Sequence, residues 1–393
     1  MPEAVQSQTT EATPRRSPLE AVHLRAGALL HEQDGCVVAA HYGDAGAEYE
    51  SVRGGGAGLF DLYSRGRIEV SGGEAVQFLN GMLTNDVAKL EDGAWMHAAF
   101  PNPQGRLLAP VRVLRRGGAF IFDTEAVTYG PVLKHLERYT LAGDFRVRDL
   151  TGEMTTLSIQ GAGARQIVGT ILGQEAAEAA RGRVVLTGVR VSSARAQSGE
   201  VMVVRATHTA EDGFDLFVGA SGVKALWEVL VTAGARPAGF DALEVLRVEA
   251  GLPRYGVDSS EANVVLEVVD EDASVSYTKG CYTGQEIIAR IHWRGHVAKR
   301  LAGIIFARDA EPPSDPAVRT CDEGREVGRI TSHAFSPRLR RRVALAVIRY
   351  DSLAPGTELK VFSGGEELCE AHVAELPLVR GSWYASGPAE SEG

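Results

Sequence analysis

Residues 67–72 alternate apolar and polar positions, as a half-buried strand does, and Ala75, Phe78, Leu79 and Met82 then recur at helical spacing. A strand, a turn and an amphipathic helix are expected there. Residues 94–100 read as a strand entering a turn at Asn102-Pro103-Gln104-Gly105, and 107–114 with 119–123 read as a hairpin. Further strands are expected at 37–42, 155–161 and within 201–218, with helices at 162–173, 221–234 and 239–250. Past Arg300 the pattern shortens to strands near 301–306, 326–332, 343–350 and 358–362, parted by turn residues. That texture suits a small barrel. The expected class is α+β with a C-terminal β-barrel.

A chain of 393 residues exceeds one ordinary hydrophobic core. We place a disordered tail at 1–20, where Ser, Thr, Gln, Pro and charges prevail, α+β regions at 21–150 and 151–295, and the barrel at 296–393. No apolar run reaches the roughly 18 residues of a membrane-spanning helix. The formal net charge of -10 weighs against broad, sequence-independent capture of nucleic acid, which depends on many Lys and Arg contacts to phosphate. Cysteines at 36, 281, 321 and 369 are too few and too scattered for a disulfide framework or a Cys-x-x-Cys metal site. A reducing cytoplasm is the expected compartment, with no resident metal.

The segment Lys279-Gly280-Cys281-Tyr282-Thr283-Gly284-Gln285-Glu286 runs directly into apolar, helix-spaced residues 287–291. Thr283 and Glu286 have the separation of a capping box, so a helix is expected to start here. Cys281 then stands just outside a helix N-terminus, two residues from Lys279, and both neighbours favour thiolate. A thiolate is a nucleophile and a soft-metal ligand. The structural alternative is a small apolar side chain filling a tight turn.

This segment resembles the signature of the YgfZ-type folate-binding proteins, relatives of the glycine-cleavage aminomethyltransferase that take part in iron–sulfur cluster assembly or repair. The resemblance extends over most of the chain. Asp61-Leu62-Tyr63-Ser64 with Gly66, Phe78-Leu79-Asn80-Gly81 and Leu83-Thr84-Asn85-Asp86 are similar to the opening motifs of that superfamily. So are Thr209 to Asp215, Arg247-Val248-Glu249-Ala250-Gly251 with Tyr255-Gly256, and Gly328 to Ser332 with Ser336-Pro337. The resemblance implies a three-domain folate-binding fold and a bound tetrahydrofolate or one-carbon derivative. It implies a role supporting iron–sulfur proteins, including enzymes that modify tRNA; the lack of a long apolar run leaves no membrane partner expected.

Carried over residue by residue, the resemblance makes Asp215 the carboxylate for the adjacent N–H donors of a pterin, with Glu211 the other candidate and His208 where a tyrosine often stands. Tyr255 is expected beside the ring, and Arg247, Asn102 and Arg290 complete the expected binding set. Arg290, Arg294, Lys299 and Arg300 suit either the folate glutamate tail or an acidic partner. Cys281 and Lys279 are the expected reactive pair. In the aminomethyltransferase, paired aspartates follow the Asn102–Leu108 turn, and this chain has Ala109-Pro110 there. Alanine can neither accept a proton nor hold an ammonium, which counts against a classical aminomethyltransferase. The rival expectation is a folate-dependent transferase or demethylase acting on a small amine.

Overall fold

The computed structural model describes residues 13–190, 199–312, 316–320, 324–363 and 365–385. Two antiparallel sheets form its centre. One runs in the order Trp95–Pro101, Leu107–Arg116, Ala119–Thr124, Gly66–Ser71 and Arg146–Asp149. The other runs Val184–Gly188, Glu200–Arg205, Gly213–Gly219, Met154–Gln160 and Gly58–Asp61, then ends on Arg236–Pro237 in parallel. A small sheet of Arg15–Arg16, Cys36–His41 and Leu29–Gln33 lies at the start of the chain.

Each sheet buries one face under helices whose apolar positions recur at helical spacing. Ala164–Leu172 and Val223–Thr232 cover the larger sheet with Ile167, Val168, Ile171, Leu226 and Leu230. Ala75–Met82 and Ala126–Glu137 cover the other. The uncovered faces meet each other through Leu114, Ile121, Met202, Val204, Ala206 and Phe217. Six strands between Lys299 and Ala374 close into a barrel, which leaves no unpaired sheet edge. The α+β class and the C-terminal barrel stand as expected from the sequence.

Two details differ from the sequence reading. The described part of the expected tail is ordered: Arg15 and Arg16 pair with Cys36 and Val37, and Leu19 is fully buried beneath the larger sheet. One apolar residue in a polar stretch gives no periodicity, and the strand is also held by Arg15, which donates to the Ser64 carbonyl at 2.6 Å. Residues 1–12 lie outside the described residues. The border at 150 separates the two central sheets along the chain, but Gly58–Asp61 lies in the larger sheet against Leu157–Gln160.

The Phe240–Ala250 helix ties the central sheets to the barrel. It ends on Gly251, whose φ of +73° is the left-handed conformation favoured at helix ends. Arg247 in its last turn donates to Asp258 and to Ser332 of the barrel at 2.8 and 2.7 Å. Glu249 is fully buried and accepts from Tyr49 at 2.8 Å and Ser336 at 2.5 Å.

Candidate functional site

A cleft with about 1110 Å³ of empty space, its open mouth included, lies where the small sheet, the Phe240–Ala250 helix and the ends of both central sheets converge. Tyr42 and Phe240 give it aromatic walls, and Asp61, Arg65, Glu125, His208, Glu244, Arg247 and Arg254 line it with charge or polarity. Arg65 is aimed by a buried neighbour. Arg67 is fully buried and donates to the carbonyls of Leu62, Tyr63 and Arg65 at 2.7, 2.9 and 2.6 Å, which holds the 62–65 loop against the cleft. Burial lowers the Arg67 guanidinium to about 10.

Behind the wall a chain of alternating charges runs between two lining residues. Arg65 Nε meets Asp123 Oδ1 at 2.8 Å, and Arg112 Nη2 meets Asp123 Oδ2 at 2.8 Å and Asp215 Oδ2 at 2.7 Å. His208 Nε2 then lies 3.0 Å from both Asp215 oxygens. Asp123 and Asp215 are fully buried. Burial alone would raise both carboxyls. The charges of Arg65 and Arg112 at Asp123, and of His208 and Arg112 at Asp215, outweigh it and hold both below the ordinary carboxylate range. The Arg112 guanidinium lies 5.5 and 5.3 Å from the Trp95 and Phe217 ring centroids, within cation–π range. Because Arg112 is on one central sheet and Asp215 on the other, the chain also fastens the two sheets together.

Glu125 is a different carboxyl. It lines the cleft, accepts the Tyr255 backbone N–H at 2.9 Å, and is raised by burial against the lowering charge of Arg65. Arg254 lines the cleft, and its Nε is buried without a hydrogen-bond acceptor among the described residues. A buried donor left unmade is costly.

Of the residues expected from the sequence, His208 and Arg247 line the cleft, and Tyr255 borders it through Glu125. Asp215 touches His208 but does not line the cleft, since both its oxygens are engaged by the charge chain. Glu211 is held elsewhere, by Arg53 at 2.9 Å and by the Ser382 amide and hydroxyl at 2.8 and 2.6 Å. Asn102 caps its own turn by accepting from the amides of Gln104 and Arg106. Arg290 is exposed on the Gln285–Arg294 helix, outside the cleft. Arg65, Arg112, Asp123, Glu125 and Arg254 were not expected. An Arg or Asp placed among apolar strand residues, as Arg112 and Asp123 are, was the available signal.

Cys281 and Lys279 stand apart from the cleft. Cys281 is exposed, whereas Cys36 and Cys369 are buried, and Cys321 lies outside the described residues. Lys279 Nζ donates to the Leu83 and Asn85 carbonyls at 2.7 and 2.8 Å and lies 5.0 Å from the Tyr282 ring centroid. Burial lowers it to about 8. Its cation is thus committed to the backbone of residues 83 and 85. The helix begins at Gln285, as the sequence suggested, but the capping box does not form. Gly284 is the N-cap at φ +77°, and Thr283 turns to the Gly81 carbonyl through its amide at 3.0 Å. A Cβ at residue 284 would come within 2.4 Å of the Asn102 carbonyl oxygen, so this close crossing requires glycine.

Ala109 is buried in the core beneath the Leu107–Arg116 strand, and that strand carries no acidic residue. No helix among the described residues is long and apolar enough to cross a membrane. Residues 19–269 match the GCVT N-terminal domain, and residues 299–380 match the glycine cleavage T-protein C-terminal barrel domain. The chain is 32% identical to an aminomethyltransferase of Rubrobacter xylanophilus over 94% of its own length and 95% of the relative. It is 30% identical to that of Geobacillus kaustophilus over 93% and 99%. The crystal structure of aminomethyltransferase T from Bartonella henselae matches with a TM-score of 0.80 at 23% identity, covering 93% of this chain and 98% of that one, a likeness of fold. Both halves of the architecture and the near full-length relatives place this chain in the glycine cleavage T-protein family.

Proposed function

We propose that the protein binds tetrahydrofolate or a one-carbon derivative in the cleft and serves iron–sulfur proteins as an accessory factor of the YgfZ type, including enzymes that modify tRNA. The observation that carries this reading is the exposed Cys281 thiol, presented outside the cleft on a loop pinned by Lys279 and Thr283. The cleft suits a folate chemically. Glu125 offers a carboxyl to the adjacent N–H donors of a pterin, Tyr42 and Phe240 offer ring faces, and Arg254 offers a cation to a glutamate carboxylate. Asp215 acts by holding the His208 ring at the cleft wall. One unpaired cysteine fits a cluster site shared with a partner, because clusters take about four ligands.

A second reading, a folate-dependent aminomethyltransferase or demethylase of a small amine, is favoured by the near full-length relatives of that name. It needs a cleft carboxylate such as Glu125 or Asp61 to serve where the Leu107–Arg116 strand has none.

Calorimetric titration with tetrahydrofolate tests the cleft that both readings share, and the cysteine phenotype and amine turnover separate them. Wild type and Cys281→Ser should bind equally, while His208→Ala binds at least about tenfold more weakly, a loss of about 1.4 kcal/mol. In cells, Cys281→Ser should lose the activity of iron–sulfur enzymes. Absence of binding to wild type would remove folate as the ligand, and turnover of a methylated amine with folate would favour the second reading.

A further inference from the structure

The Gln285–Arg294 helix buries Ile288 and packs Ile291 against the core that holds Ala99, Leu107 and Leu266. Its opposite side carries Arg290, Trp293 and Arg294, all exposed, with Trp293 at 70%. The other three tryptophans, at 95, 227 and 383, are buried or half-buried. Trp293 is nonetheless held in place. Its ring meets His292 edge-on at 4.5 Å, and His292 stacks on Tyr277 at 3.8 Å. Glu271, the carboxylate beneath this group, accepts from Tyr277 and pairs with His292, both at 2.6 Å, so it is already engaged by that group. Arg300, also exposed, adds its charge beside Glu271.

We infer that this face docks an acidic protein surface, with Trp293 entering an apolar pocket and Arg290, Arg294 and Arg300 meeting carboxylates around it. The inference deepens the reading of Cys281 as the thiol offered to a partner. Charge complementarity supports it: the chain carries -10 overall, yet Arg290, Arg294 and Arg300 gather on this face, where Glu271 is already paired with His292 and the exposed acidic neighbours are Glu286 and Asp272. Arg and Trp are also the side chains that dominate binding energy at protein interfaces. A helix of 10 residues is about 15 Å long, so Cys281 before its first turn and Trp293 in its last fit under one partner patch of roughly 800 Å². Nucleic acid fits less well, because three arginines beside a glutamate neutralise few phosphates on a chain that is otherwise acidic.

The test is fluorescence anisotropy of a labelled peptide of Glu-Glu-Leu repeats with the full chain, and of labelled oligouridine in parallel. Saturable peptide binding is expected, weakened at least about tenfold in Arg294→Glu/Arg300→Glu and also weakened in Trp293→Ala. Arg25→Glu, on an exposed helix elsewhere, should bind as wild type, and circular dichroism confirms that each variant is folded. No saturable binding, equal binding by wild type and the Trp293 and Arg294 variants, or tighter binding of oligouridine overturns the proposal. The assay contains neither folate nor an iron–sulfur protein. Its failure removes the docking face alone and leaves the folate and thiol reading to its own titration.

Discussion

In the cleft wall, Arg65, Asp123, Arg112, Asp215 and His208 neutralise one another out of water, whereas in the cysteine loop Lys279 rests on two backbone carbonyls and Cys281 faces solvent. The first arrangement costs much to break, because removing one partner strands a buried charge. The second depends on backbone shape: a glycine at φ +77°, a carbonyl at contact distance and a lysine that bends toward the main chain. Charge holds the cleft wall, and backbone conformation presents the thiol.

The largest effect that would break this contrast lies in the cleft. Arg112→Met leaves Asp123 and Asp215 without the cation they share, and urea unfolding should show a loss of about 3–5 kcal/mol. A loss below about 1 kcal/mol would mean that the charge chain carries little.

Next comes Asp215→Asn, with an expected cost of about 2 kcal/mol near neutral pH. Its pH dependence has a definite sign. The folded carboxyl is depressed, so its stabilisation is complete above the ordinary carboxylate value of about 3.9 and is lost as pH falls toward the folded value. Wild type and variant should therefore converge in acid and stay apart from pH 5 upward.

In the loop, Gly284→Ala should cost about 1–2 kcal/mol by denaturant midpoint and reduce the support of iron–sulfur enzymes, while tetrahydrofolate affinity stays put. The smallest effect concerns Lys279, lowered by burial from 10.5 to about 8. The unfolded chain binds the extra proton between these values, so this group's contribution makes stability rise as pH climbs from about 8 through 10.5. Lys279→Met should flatten that rise. The two regions then respond to pH at opposite ends of the scale.

Much of this fold was legible because burial follows period. Residues 107–114 and 119–123 are apolar-rich runs of strand length, and they form the Leu107–Arg116 and Ala119–Thr124 hairpin. Residues 239–250 show helical spacing, and the helix spans Phe240–Ala250. The cleft was legible only in part. His208 and Arg247 could be placed by motif, but the partners of Asp215 lie about a hundred residues back in Arg112 and seven back in His208. Nothing local to Arg112 reveals which carboxylates it will meet across two sheets. The capping box failed for the same reason, since a tertiary acceptor, the Gly81 carbonyl, outcompeted the local one for Thr283. Leu19 was missed because a lone apolar residue has no period.

The Gly58–Asp61 strand carries one more consequence, for synthesis. Its neighbours in the larger sheet are Leu157–Gln160 on one side and Arg236–Pro237 on the other. When it leaves the ribosome, the first neighbour is about a hundred residues from being made, a delay of about 5–20 s at common elongation rates. For that interval Leu59 and Phe60, both buried in the finished molecule, have no sheet to join. A nascent chain stalled before residue 157 should therefore bind a chaperone at this segment, and one stalled beyond residue 237 should release it.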